Sequence, residues 1–323
     1  MGTRRYILGW TEEGRIAPQD ARRALRTAGA LPTGPQWRQF VARFLIWLGT
    51  ALVAAGVVLL LVYNWQILGR FARLAVVEGL FAAVLGVIGW FGLARIEGKL
   101  ALLGAAVLVG ALLALVGQTY PTGADSHGLF VAWGLALVPL AAVGGMPTLW
   151  LLLLAVANGA FLAYFRAFGG LFGVPLGVEG LLWALVALNT AVLVLWEVLA
   201  WVGAAGRWGP RLVGVVSGGL VTGLALWSIV DPAGGSGWGV PAWILWLGAV
   251  YAVYRRVIHD VFLLATAVSS IVLVAATFLI WRADIPESNA LLIVSLVVIG
   301  VSAAGARWLR AVSAEEPSEE EPR

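Results

Sequence analysis

Apolar positions along this chain come in long blocks. Runs of 17 residues or more recur from Arg43 to Leu309, separated by short polar or glycine- and proline-rich links. About 20 apolar residues, rising about 1.5 Å each, cross the roughly 30 Å hydrocarbon core of a bilayer. The pattern predicts ten spans, at 43–63, 71–94, 100–117, 128–145, 148–165, 178–200, 210–230, 239–254, 260–281 and 289–309. One stretch, Leu129–Phe165, runs 37 residues without an arginine or an acid. As one helix it would be about 55 Å long, too long for a single crossing. Gly144-Gly145-Met146-Pro147 divides it into two spans with a tight turn.

Composition agrees with this reading. Of the 323 residues, 61% are hydrophobic and only 12% charged, against about a quarter charged in soluble domains. A soluble globular enzyme is excluded. There are no cysteines, which removes disulfide scaffolds, thiolate metal sites and cysteine nucleophiles. The first apolar run begins some 40 residues in, too late for a usual cleavable signal.

Charge sets the expected threading, because short cytoplasmic loops carry excess Lys and Arg. With the N-terminus inside and ten spans, 17 of the 21 basic residues fall on the cytoplasmic side. Only Arg70, Arg73, Arg166 and Arg282 fall outside. Trp65, Trp150, Trp201, Trp208, Trp238, Trp281 and Trp308 lie near predicted span ends, where amphipathic rings favour the interface. The expected fold is an all-α, polytopic transmembrane bundle of about ten spans, N-in/C-in, with a short N-terminal cytoplasmic helical hairpin.

Three regions follow: residues 1–36 as hairpin and linker, 37–310 as the bundle, and 311–323 as a disordered acidic tail. In the hairpin, Tyr6, Ile7 and Trp10 share one helical face, Gly14 suits a left-handed C-cap, and Pro18 suits a first helical turn. So short a unit buries no core of its own. It reads either as a cap lying on the bundle or lipid surface, or as a docking module. The remaining basic charge is accounted for by membrane orientation and anionic lipid, with no nucleic-acid module.

Polar groups within hydrocarbon are costly and are therefore functional candidates. Glu78 lies inside the second span, with Arg70 and Arg73 before it. Gln118 ends the third span. Asn158, Asn189 and Glu197 lie in the fifth and sixth. They read as a substrate or proton path, or as structural glue: amides bonding between helices, Glu78 pairing with Arg70 or Arg73, and Glu197 reaching toward the interface. The link Gly117–His127 packs Gln118, Tyr120, Asp125 and His127 into eleven residues. Asp125 and His127 form a conceivable acid–base pair; a hydrogen-bonded turn shaped by Pro121 and Gly123 is the plainer alternative.

Several enzyme signatures fail. His127 and His259 fall on opposite predicted sides, and there is no His-Glu-x-x-His. The single lysine, Lys99, is followed by Leu100, so no phosphate-loop motif exists. Gly234-Gly235-Ser236-Gly237 is similar to the serine motif of rhomboid proteases, but no later span offers a histidine partner. Gly214/Gly218 and Gly219/Gly223 are small-xxx-small pairs expected at close helix contacts.

Three segments carry a family resemblance. They are Leu8-Gly9-Trp10-Thr11-Glu12-Glu13-Gly14-Arg15-Ile16; Asn64-Trp65 followed by Arg70 and Arg73; and Gly117-Gln118-Thr119-Tyr120 with Gly123-Ala124-Asp125, then Phe130 and Trp133. Over roughly the first 165 residues the chain resembles bacterial inner-membrane proteins grouped as domain of unknown function 2157. The resemblance implies an integral membrane protein and brings no activity or catalytic residues. It draws Asn64, Trp65, Gln118, Tyr120 and Asp125 together as one outer-face cluster. With Arg70, Arg73, Glu78 and His127 these are the candidate ligand-binding residues.

No catalytic residue, metal or cofactor is assigned, and enzyme activity is the less favoured class. The first functional reading is a small-molecule transporter or permease of the bacterial inner membrane. The alternative is a non-catalytic envelope sensor or assembly partner, acting through the hairpin and the outer loop. Expected partners are the lipid bilayer and a protein docking on residues 1–36, with a homo-oligomer left open and nucleic acid excluded.

Overall fold

The computed structural model describes residues 13–28, 67–119, 126–171, 174–175, 177–201, 207–232, 236–282 and 287–314, with scattered positions between 7 and 63. The chain divides into two units, Met1–Phe71 with Pro317–Arg323, and Ala72–Glu316.

In the first unit, the described part of the hairpin contains α1 (Ala21–Thr27). Gly14 takes the left-handed conformation expected of it, φ +73°. Ile7 and Leu25 are buried, while Trp10 is 43% exposed. Pro18 differs from expectation. It lies in the turn before α1, whose first backbone bond runs from Ala24 N to the Asp20 carbonyl. The turn's own bond, Asp20 N to the Ala17 carbonyl at 2.8 Å, delays the helix start beyond the proline.

Among the described residues nine long helices follow: α2 (Arg70–Phe91), α3 (Ile96–Thr119), α4 (Ser126–Gly144), α5 (Pro147–Phe168), α6 (Val178–Trp201), α7 (Trp208–Val230), α8 (Gly239–Arg256), α9 (Val261–Trp281) and α10 (Glu287–Ala314). A two-residue antiparallel ladder, β1 (Gly170–Leu171) with β2 (Val174–Pro175), joins α5 to α6. Among the described residues eight helices are long and apolar enough to cross a membrane. The ninth, α8, has 18 residues and ends on Arg255-Arg256. These nine match predicted spans two to ten. The first predicted span, 43–63, falls mostly outside the described residues.

Large apolar side chains face outward along these helices: Leu291 is 83% exposed, Leu245 76% and Leu135 69%. A water-soluble protein would not display so much contiguous apolar surface. Here it is the lipid contact, and the protein is a multi-pass membrane protein.

The turn predicted at Gly144–Pro147 forms for a local reason. Gly145 has φ +57°, a region open to glycine at little cost, and Pro147 occupies the first turn of α5. A β-carbon on Gly144 would meet the end methyls of Leu149 at 2.6 Å and Leu102 at 2.8 Å, so the glycine lets these leucines pack directly on α4 there.

α10 runs to Ala314, four residues into the predicted tail. The reason is Val312, buried in a core with Val250, Tyr254, Leu263 and Leu264; that packing holds the last turn helical. Residues 315–323, the rest of the predicted tail, lie outside the described residues.

Cores link successive helices. Leu102, Ala106, Leu137, Ala141, Leu149 and Val156 join α3, α4 and α5. Leu154, Leu193, Trp196 and Val213 join α5, α6 and α7. α7 is the central helix of the C-terminal group, touching α6, α8 and α9. It fits there because its buried face is small: Gly214 lies under Leu263, and Gly218 lies under the Trp246 indole. Small residues let helix backbones approach closely in lipid, where packing replaces the hydrophobic effect as the force between helices.

Candidate functional site: an ion cluster across four helices

The residues singled out from the sequence fall into three groups. Asn64, Trp65, Tyr120 and Asp125 lie outside the described residues. Arg70 is exposed, its guanidinium 4.9 Å from the Phe71 ring. Arg73 is half-buried. Glu78 is exposed and forms no ion pair among the described residues, and Gln118 is exposed in the last turn of α3. His127, in the first turn of α4, meets the Tyr164 and Phe168 rings edge-on at 5.4 and 5.1 Å. Its ring therefore helps pack α4 on α5.

The intramembrane amides do meet. Asn189 Nδ2 donates to Asn158 Oδ1 at 2.7 Å, and Asn158 Nδ2 donates to Asn189 Oδ1 at 3.3 Å. Each amide also donates to the carbonyl one turn back, Leu185 and Leu154. Asn189 is fully buried. This is the glue reading of the pair, joining α5 to α6. Hydroxyls behave alike: Thr190 and Ser217 lie 2.8 Å apart between α6 and α7, and Thr222 and Ser270 lie 2.7 Å apart between α7 and α9.

The densest chemistry lies where α6 ends, α7 begins, α8 ends and α9 begins. Arg207, just before α7, donates from Nη1 to Glu197 Oε2 at 2.8 Å and from Nη2 to Asp260 Oδ2 at 2.9 Å. Arg211, a turn into α7, donates from Nε to both Asp260 oxygens at 2.9 and 3.2 Å. The Tyr254 hydroxyl of α8 donates to Glu197 Oε1 at 2.9 Å. Asp260 also caps α9, accepting from Phe262 N at 3.1 Å. Five side chains from four helices thus form one connected, charge-neutral network.

Local structure places each partner. After α8 the chain reverses through His259, whose φ is +54°, with Asp260 N donating to the Tyr254 carbonyl at 3.0 Å. The reversal turns Asp260 inward, and only 2% of it is exposed. Trp196 packs where a β-carbon on Gly209 would be, drawing the end of α6 onto the start of α7 and bringing Glu197 to Arg207.

Burial pushes the Asp260 carboxyl up, but the hydrogen bonds and charges of Arg211 and Arg207 outweigh it and hold the group below the usual carboxylate range. Burial likewise works against the Arg207 cation. The hydrogen bond to Asp260 and the charge of Glu197 overcome it and raise Arg207 above its ordinary value. Both shifts favour the charged forms of Asp260 and Arg207. With no nucleophile and no free base among them, the cluster is suited to fastening helix ends. Among the described residues no group of three or more His, Asp or Glu is arranged to hold a metal.

The comparison that bears on identity concerns the other end of the chain. Residues 8–150 match the family described as Predicted membrane protein (DUF2157). That agrees with the resemblance carried by the first three segments, and the family's matched range ends within α5, before any residue of the ion cluster. No curated protein and no solved structure matches the chain.

Sequence reasoning singled out Glu197 but missed Tyr254 and Asp260. An aspartate directly before an apolar run is a helix N-cap signal, and it was the one available hint at Asp260. Nothing in the sequence pairs it with Glu197.

Proposed function

We propose that the protein is a small-molecule carrier of the bacterial inner membrane, with both termini on the cytoplasmic side and the inner ends of α6–α9 fastened. The observation that carries this reading is an asymmetry within one helix group. At one end, four helices are tied by Glu197, Arg207, Arg211, Tyr254 and Asp260. At the other, α6 and α8 stand apart and leave an open groove of about 580 Å³ over α7. In the N-in/C-in threading the tied end is cytoplasmic. Opening at one face and closure at the other by ion pairs that can part is what alternating access requires.

The absence of cysteine from the chain makes a direct test clean. Val213, two residues beyond Arg211, is 1% exposed. A cysteine there, probed with a membrane-impermeant maleimide in inside-out vesicles, is expected to label slowly. Adding Asp260→Asn should accelerate labelling about tenfold or more. Equal protection with and without that substitution would argue for a permanently closed end and against a carrier.

A second reading is a non-catalytic sensor or assembly partner acting through residues 1–36. It is favoured by the mutual saturation of Asn158 with Asn189 and of Thr222 with Ser270, which leaves those groups to helix packing. Deleting residues 1–36 should then abolish function while the bundle remains folded.

A further inference from the structure

The open groove between α6 and α8 has a chemistry of its own. Its walls carry three indoles, Trp183 of α6, and Trp238 and Trp246 at and within α8, together with Leu245, Thr190 and Ser236. Behind the wall stands Glu179, in the first turn of α6. Its carboxylate accepts from the Trp183 indole N–H at 3.3 Å, from Ser236 N at 2.6 Å, and from the Ser236 hydroxyl through a short bond. Every one of these donors is neutral, and no ion pair to Glu179 exists among the described residues. The group is thus fixed in place by two groove-lining residues, and no cation among the described residues pairs with it.

The geometry points to a binding site for a lipophilic organic cation in this groove, with the indoles receiving its apolar body and Glu179 supplying the counter-charge. Indole faces attract cations, increasingly so away from water. A fixed carboxylate beside a low-dielectric wall focuses that preference and repels anions. The loop before α8 reinforces the arrangement, since Ser236 both lines the groove and anchors on Glu179. A lipid tail would fill the apolar walls equally well, yet it would make no use of the carboxylate. Passage of the ligand through the membrane rests on the carrier reading, whereas binding does not.

The test uses the full-length protein in a neutral maltoside detergent, with tetraphenylphosphonium as the cation and tetraphenylborate as an anion of nearly the same shape. Equilibrium dialysis should show saturable binding of the phosphonium, uncompeted by the borate. Glu179→Gln should weaken it about tenfold or more, while Glu179→Asp, which keeps the charge, should weaken it less. Thermal midpoints check that both variants are folded, and the cation–anion comparison on the unaltered protein needs no variant at all. Equal binding of both ions, or binding indifferent to Glu179→Gln, would mean an apolar lipid groove and would overturn the inference. Proteoliposome uptake is read separately: saturable binding without uptake defeats the carrier reading and leaves the site standing.

Discussion

Asp260 concentrates three duties in one carboxylate, as counter-ion to Arg207, counter-ion to Arg211, and cap of α9. Removing one member of a buried ion pair leaves the other charges uncompensated and commonly costs 3–5 kcal/mol. Arg207 and Arg211 retain some access to water, with side chains 35% and 43% exposed, so Asp260→Ala is expected near the low end, about 3 kcal/mol. The pH dependence has a definite sign. A carboxyl held below its unfolded value of about 3.9 contributes stability that is complete above that value and lost as pH falls through the lower native one. The thermal midpoint should therefore drop below about pH 4, and that acid-dependent drop should shrink in Asp260→Asn. Its neighbour His259 holds a left-handed backbone, which histidine tolerates better than β-branched residues do. His259→Gly should leave the midpoint unchanged or raise it slightly. His259→Val should be less stable than His259→Gly by about 1–2 kcal/mol, the left-handed cost that glycine escapes; equal midpoints for the two would contradict a role for that backbone angle.

Between helices, the contacts are specific enough to separate adjacent positions. A β-carbon at Gly218 would lie 2.5 Å from the Trp246 ring, whereas one at Gly219 meets nothing within 4 Å. Gly218→Ala should destabilise the α7–α8 contact, and Gly219→Ala should be neutral when unfolding is followed in mixed micelles. The amide pair between α5 and α6 gives a second comparison. Hydrogen bonds across membrane helices average about 0.6 kcal/mol and reach about 1.7, and a buried amide left alone costs more than two removed together. Asn158→Leu and Asn189→Leu should each destabilise, and the double substitution should cost less than the sum of the two. Strict additivity would mean that the two amides do not act as a pair.

At the scale of the molecule, the positions of most spans were legible because bilayer thickness converts directly into a count of apolar residues. The predicted 148–165 and observed Pro147–Phe168 agree this closely because Gly145 and Pro147 punctuate the longest apolar run. The predicted 100–117 began late, since α2 stops at Gly92 in a left-handed conformation and the chain restarts at Ile96. The candidate site was far less legible. Glu197 and Asp260 are joined through Arg207 only after three reversals of the chain, and no spacing rule connects residues so far apart. Of the outer-face cluster drawn from family resemblance only Gln118 lies among the described residues, and it is exposed; the separate candidate His127 packs against aromatic rings. The hydroxyls of α7 carry one more consequence, for biosynthesis. Thr222 and Ser228 donate to the carbonyls of Gly218 and Leu224 within α7 itself, and Ser217 pairs with Thr190 of α6, which is made earlier. When α7 leaves the ribosome it therefore meets lipid with these three hydroxyls already satisfied, and its insertion need not wait for α8 or α9 to be translated.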